Sequence, residues 1–313
     1  MRPLFFIIGI VLFLLLNFYV FQRIWKVMPS GTVGRVIFIA VALILVFSMV
    51  IFFIFKDNLP IWLNSTLYTI GASWLFMLVY LALFNILQDV VCLTGIIPKA
   101  TVLKYTRDNW AGFYLIIGFV VLLMTSGYMK YNMKQRVPLD ISVNKNIGAS
   151  DSIKIVAISD LHLGYTIGDS EFKRWVDLIN SEKPDIILIA GDIIDNDIRP
   201  LMEGRYAEYF RELKAPLGIY TCPGNHEYIS NIENSKKFIS KAGVTLLQDK
   251  VALVDSSFYV IGRDDYSNRG RKPLSELVKD LDQTKPIIVL DHQPHNLAEA
   301  EDNKIDLQLS GHT

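Results

Sequence analysis

The sequence predicts an α/β protein behind a four-helix membrane region. Three observations carry that expectation. Four long apolar runs crowd the first 130 of the 313 residues. From residue 153 onward, short runs rich in β-branched residues alternate with helix-like segments. All five histidines fall in the turns that follow those runs.

The apolar runs come first in the chain. They span about residues 4–21, 36–55, 67–87 and 111–129. Each is long enough at about 1.5 Å per residue to cross a bilayer core. Four such runs almost free of charge fit a membrane better than a buried core. The first could be a secretory signal, but "NFYVFQRIW" follows it without a small-residue cleavage pattern, so an uncleaved span is expected. Trp25, Trp62, Trp110, Tyr128 and Tyr131 sit near run ends, where amphipathic rings settle at the headgroup level. Asn17, Ser48 and Asn85 are polar residues inside runs and read as helix–helix hydrogen-bonding groups. No run carries the acidic or basic series of an ion pathway, which favours an anchor over a transporter.

Four spans put both chain ends on one side. That side holds five basic residues (Arg2, Lys56, Lys130, Lys134, Arg136), and the other holds six (Arg23, Lys26, Arg35, Lys99, Lys104, Arg107). The positive-inside rule then leans weakly toward an extracytoplasmic C-terminal half. The formal net charge is zero and there is no basic run, so no nucleic-acid partner is expected. Two cysteines, Cys92 near the end of an apolar run and Cys222 in the polar half, argue against a disulfide framework, and Cys222 reads as buried packing.

Residues 131–152 read as a polar linker with Pro138 and Gly148. The domain from 153 to 313 opens with the strand "IKIVAIS" (153–159) and a helix over 170–182. "DIILIA" (185–190) is a second strand, residues 200–214 a helix and "LGIYTC" (217–222) a third strand. A helix near 233–241 precedes "VTLLQ", "VALVD" and "FYVIG". A helix near 274–281, the strand "PIIVLD" (286–291), a helix near 296–303 and the strand "IDLQLS" (305–310) close the chain. This alternation predicts parallel sheets covered on both faces.

Polar residues gather where these strands end. "SDLHLG" follows the first, "GDIID" the second, "PGNHE" the third, "HQPH" the strand at 286–291 and "SGHT" the last. Open α/β sheets bind ligands at the carboxyl ends of their strands, so the five turns should converge on one crevice. Each motif alone is weak, because Asp and Gly also simply build turns. Jointly they are not, since every turn carries a group able to ligate a metal. Mixed carboxylate, imidazole and amide donors suit Mn, Fe, Co, Ni or Zn and suit neither a thiolate zinc site nor a calcium cage. The donors are too many for one tetrahedral ion and would serve two ions sharing a carboxylate.

In order and spacing, "DLH", "GD", "GNHE", "DHQP" and "GHT" resemble the motifs of the calcineurin-like metallophosphoesterases, over Ile153 to Thr313. The short "HQP" is similar to the membrane-anchored bacterial branch of that family. The resemblance implies two facing sheets flanked by helices, an αββα sandwich, and two divalent metal ions. Asp160 and His162 would bind the first ion, Asp192 would bridge both, and Asn225, His292 and His312 would bind the second. His226 would be catalytic, protonating the leaving group, with Glu227 or a neighbouring carboxylate orienting it. The implied enzyme is a dinuclear metal-dependent phosphoric ester hydrolase in a multi-pass bacterial cell membrane. Its substrate would be a phosphorylated small molecule or a lipid-linked phosphate or pyrophosphate. The alternative is a non-catalytic metal- or phosphate-binding membrane sensor, which would have no need of a non-ligand imidazole at His226.

The family's last motif places a second histidine two positions after the first, whereas this chain stops at Thr313. The expectation is a fragment of a longer protein that supplies the remaining ligand. Other residues carry blander expectations. His295 should cap the following helix, with a substrate contact as its other use, and Asp195 and Asp197 should be turn residues. Arg263, Arg269, Arg271 and Lys272 should lie in a solvated loop, with a phosphate or anionic headgroup as the other use for them.

Overall fold

Five helices open the chain because nothing in its first 132 residues interrupts the apolar pattern for long. In the computed structural model, which describes residues 2–28, 31–106, 110–147 and 152–312, these are α1 (Arg2–Val27), α2 (Thr32–Phe55), α3 (Ile61–Thr94), α4 (Lys99–Thr106) and α5 (Trp110–Asn132). Four of them, all but α4, are long and apolar enough to cross a membrane. They run past the ends of the apolar stretches. At 34 residues, α3 is longer than a bilayer core requires, about 20 residues. Large apolar side chains face outward here, among them Phe18, Phe76 and Leu115. A narrow seam of Val20, Trp74, Leu78, Leu81 and Val120 holds the helices together. Asn17 Oδ1 accepts from Trp74 Nε1 at 3.0 Å and joins α1 to α3. Ser48 instead donates within its own helix, to the carbonyl of Leu45.

The chain divides into two compact units, Met1–Pro138 and Leu139–Thr313. In the second, chain order is β1 (Ile155–Ile158), α6 (Asp169–Ser181), β2 (Ile186–Ile189), α7 (Arg199–Glu203), α8 (Tyr206–Arg211), β3 (Ile219–Thr221), α9 (Asn225–Ile229), α10 (Ile232–Lys241) and β4 (Thr245–Leu246). Then follow β5 (Lys250–Val254), β6 (Phe258–Gly262), α11 (Leu274–Val278), β7 (Ile287–Leu290), α12 (Leu297–Asp302) and β8 (Leu307–Leu309). The single helix expected over 200–214 is two, broken where Gly204 takes an extended conformation.

There are two four-stranded sheets, ordered β1-β2-β3-β4 and β5-β6-β7-β8. The first is parallel throughout. The second is mixed, because β5 and β6 form an antiparallel hairpin before β7 and β8 add in parallel. The expectation of parallel sheets is therefore corrected for the second one. Three residues between β5 and β6 leave no room for the crossover that parallel strands need.

The sheets face each other. Ile186 and Leu188 of the first pack with Phe258, Val260, Ile288 and Leu290 of the second. The outer face of the first sheet, Ile187 and Ile189, is covered by Phe172 and Val176 of α6, Phe210 of α8 and Phe238 of α10. The outer face of the second, Ile261, Ile287 and Val289, is covered by α11. This is the αββα sandwich. All four residues of β2 are fully buried, which is why "IILI" reads as an unbroken apolar run. Truncating one of them, Ile187→Ala for example, should cost about 2–5 kcal/mol.

Candidate metal centre

Parallel registers bring strand ends together. β1, β2 and β3 end side by side in one sheet, as β7 and β8 do in the other. The turn after each strand carries the polar residues. Asp160, His162, Asp192 and His312 have φ of 53, 44, 53 and 57°, in the left-handed region that non-glycine residues rarely enter. Each such residue costs about 1–3 kcal/mol and persists only where its surroundings hold it. The holding bonds are visible. The Asp160 amide donates to Gly191 O at 3.2 Å, that of His162 to Asp192 O at 3.0 Å and that of Gly311 to His292 O at 3.0 Å.

Two glycines are required by this approach. Gly191 has φ 80°, and a Cβ on it would stand 2.8 Å from His292 Nδ1. A Cβ on Gly224 would run into Asp192 Oδ1.

Glu227 stitches two of the turns. Its buried carboxylate accepts from the amides of Gly224 (2.7 Å), Asp192 (3.0 Å) and Ile194 (3.1 Å). Burial and then the Asp192 charge push its pKa up to about 7, against the pull of those amides. Its oxygens are thereby spent, and it does not orient His226. The neighbouring carboxylate is Asp195. Its Oδ1 lies 3.4 Å from His226 Nδ1 and 3.7 Å from His162 Nδ1. At these separations the contact is that of an ion pair without the alignment of a hydrogen bond. The carboxylate raises the pKa of His226 above its ordinary value, against the opposing effect of burial. Asp195 was expected to be a turn residue and belongs to the site.

Asp192 sits at the middle with a side chain only 2% exposed. Its Oδ2 lies 3.1 Å from His292 Nε2 and 3.7 Å from His162 Nε2, and its Oδ1 accepts from the His226 amide at 2.9 Å. Burial alone would push its pKa up, but the His292 contact, with the His226 amide, leaves it lowered.

His292 decides what the crevice can hold. Its Nδ1 lies 2.8 Å from Ala190 O, which can only accept, so Nδ1 carries the proton. The lone pair of a neutral ring is then on Nε2, facing Asp192 Oδ2 at 3.1 Å and Asn225 Oδ1 at 3.1 Å. Three acceptors converge with no donor between them. Such a cradle takes a proton or a cation. Burial works against a protonated ring, but the Asp192 carboxylate more than reverses this and lifts His292 to about 9. A backbone carbonyl behind a histidine, fixing its tautomer, is also the usual support of a metal-ligating imidazole. The residues present fit a divalent ion.

Two groups of three side chains bring ligand atoms within 4.8 Å of one another, namely Asp160, His162, Asp192 and Asp192, His292, His312. Asp192 belongs to both. A third such group is His162, Asp195 and His226, whose two imidazole rings meet edge to face at 4.5 Å. The seven residues singled out in the sequence, Asp160, His162, Asp192, Asn225, His226, His292 and His312, thus lie around one crevice.

Other expectations are corrected. His295 does not cap α12. Asn296 holds the N-cap position, while His295 Nε2 lies 2.7 Å from Gln293 Oε1 and its ring meets Tyr266 at 4.7 Å. Arg263 and Arg271 are not solvated. Both are buried against Asp291, at 3.2 and 2.5 Å, and Arg263 also pairs with Glu299 at 2.8 Å. They brace the turn that carries His292. Cys222 is buried packing, as expected.

Comparison with known proteins agrees with this geometry. The calcineurin-like phosphoesterase family matches residues 153–313, and the chain belongs to that family. It is 26% identical to "Transmembrane protein with metallophosphoesterase domain" from Danio rerio, over 93% of this chain and 68% of that protein. It is 33% identical to an "Uncharacterized metallophosphoesterase" of Aquifex aeolicus (strain VF5), over 51% of this chain and 62% of that one. A Campylobacter jejuni relative named as an uncharacterized metallophosphoesterase is 26% identical over 98% of this chain and 82% of its own length. The chain thus spans less than two thirds of the Aquifex protein. With four candidate spans and relatives named as transmembrane, it is a membrane protein of a metal-dependent phosphoesterase family.

Proposed function

We propose that the protein is a membrane-anchored phosphoesterase that uses two divalent ions at a shared Asp192. Residues 1–130 are the anchor, 131–152 the linker and 153–313 the hydrolase. The observation that carries this reading is the membership of Asp192 in both ligand triads. Asp160 and His162 would hold one ion, and Asn225, His292 and His312 the other. When bound, such a pair neutralises phosphate charge and lowers the pKa of a water toward neutrality.

The remaining chemistry belongs to the chain. His226 stands beside the triads that share Asp192 without being needed in either, and the Asp195 carboxylate favours the protonated form of its ring. It can give that proton to the departing oxygen of a phosphoester, a step that typically contributes about 10²–10⁴-fold. The leaving oxygen departs as a hydroxyl, and His226 is recharged from solvent. A sensor would have no use for this proton donor.

The substrate class is a phosphomonoester, phosphodiester or pyrophosphate, and the anchor favours a lipid-linked one. The five-to-six division of basic residues leans toward a hydrolase on the extracytoplasmic side of a bacterial membrane. The test is Mn²⁺-dependent hydrolysis of a generic phosphodiester and monoester by the full-length protein, with Asp192→Ala as control. Metal-dependent turnover that vanishes in the variant supports the reading. Metal-loaded protein inert toward monoesters, diesters, pyrophosphates and lipid-linked phosphates alike would contradict it.

A further inference from the structure

The membrane unit holds a second polar site. Arg23 of α1 is 7% exposed, among apolar helices. Its Nη1 donates to the Asn85 carbonyl at 3.2 Å and to Asn85 Oδ1 at 3.0 Å. Its Nη2 donates to Tyr19 Oη at 2.9 Å and pairs with Asp89. The Nε donor of the same guanidinium has no partner, and neither has buried Nε2 of Gln88, one turn from Asn85 on α3. Arg23 and Gln88 both line one recess between α1, α3 and α5, together with Val20, Asn85, Phe113 and Ile116. A buried donor left unsatisfied is destabilising, so two donors at one recess call for an acceptor from outside the chain.

The size and place of the recess narrow the choice. Its interior is about 20 Å³, room for one oxygen-sized group, and it widens to about 400 Å³ when its open mouth is counted. Its lining includes Val27, the last residue of α1, and Phe113, near the start of α5. That places it where the spans end, at headgroup depth. Among the described residues, the segments at this end of the bundle carry Lys26, Arg35, Lys99 and Lys104, with the paired Asp89 as an acid. Such a surface attracts anionic lipid.

We propose that the recess between α1, α3 and α5 binds the phosphate of an anionic phospholipid, one of whose oxygens accepts from Arg23 Nε and Gln88 Nε2. The rest of the headgroup lies in the mouth, at the end of the bundle that carries the lysines. The anchor on this account selects lipid as well as tethering the hydrolase. The proposal does not rest on the hydrolytic reading.

The test uses the full-length protein in detergent, with phosphatidylglycerol or diacylglycerol, which lacks the phosphate, added and retained lipid counted by native mass spectrometry. The salt is about 1 M, where the screening length is about 3 Å and attraction by surface lysines is lost. Gln88→Leu removes one donor and no charge. Arg23→Lys keeps a cation for Asp89 but removes Nε. Phosphatidylglycerol should be retained over diacylglycerol by roughly tenfold, and each variant should cut its retention roughly three- to tenfold. Equal retention of the two lipids would overturn the proposal. So would retention unchanged in both variants, which would mean that a water fills the recess.

Discussion

Each unit buries a charged side chain among apolar residues, and the two do so in opposite ways. In the membrane unit, Arg23 meets its counter-charge in the chain itself, at Asp89, with Tyr19 and Asn85 completing the cluster. In the hydrolase unit, Asp192 meets two imidazoles that can be neutral, and Asn225 adds another acceptor beside them. The first arrangement is internally balanced and tolerates an apolar solvent. The second is balanced only by a proton on His292, which an ion from solution can replace. A balanced buried pair holds helices together, and a buried acid balanced only by a proton makes a binding site.

The largest effect should come from removing that acid. Asp192→Ala takes a ligand from both triads at once and should lower turnover by more than about 10³-fold. Steady-state hydrolysis of a generic diester measures this, and residual activity within tenfold of wild type would break the comparison. Next comes His226→Ala. It should reduce kcat by about 10²–10⁴-fold while bound metal, read by elemental analysis, stays constant. Loss of metal together with activity would make His226 a ligand and remove the proton donor from the account.

Asp195→Asn should be milder, about 10–100-fold, as for a group that supports the residues doing the chemistry. It also carries a signature in pH. Asp195 raises the pKa of His226, and the donor is competent only while protonated. Without the carboxylate that pKa falls, so the alkaline limb of the kcat profile should move to lower pH. A limb that stays put would mean that Asp195 only shapes the turn. The smallest effect belongs to the balanced pair. Asp89→Asn should lower the thermal stability of the solubilised protein by about 1 kcal/mol, because Asp89 is partly exposed, and leave metal content unchanged.

Much of this was legible in the sequence because the signals were redundant. The spans announce themselves by uninterrupted apolar length, and the site does so because five histidines all fall after strands. What stayed hidden depended on direction. Asp195 and Glu227 both lie within three residues of a site residue in sequence. Only the fold shows that the Glu227 oxygens point back onto three amides, while the Asp195 oxygen points at two imidazoles. The left-handed backbone at Asp160, His162, Asp192 and His312 has no compositional mark, since tertiary bonds impose it on residues that would otherwise avoid it. Arg263 and Arg271 looked like loop charges because their partner, Asp291, lies 20 or more residues away. The split of one helix into α7 and α8 turns on Gly204, which a helix could also have contained at modest cost.

The central claim, two ions at a shared carboxylate, is tested most directly by counting metal. Full-length protein purified with Mn²⁺ would be compared with the Asp192→Asn variant by elemental analysis, with circular dichroism to confirm that both are folded. The account predicts two ions per chain in the wild type and loss of both in the variant. One ion in the wild type, or two that survive the substitution, would contradict it.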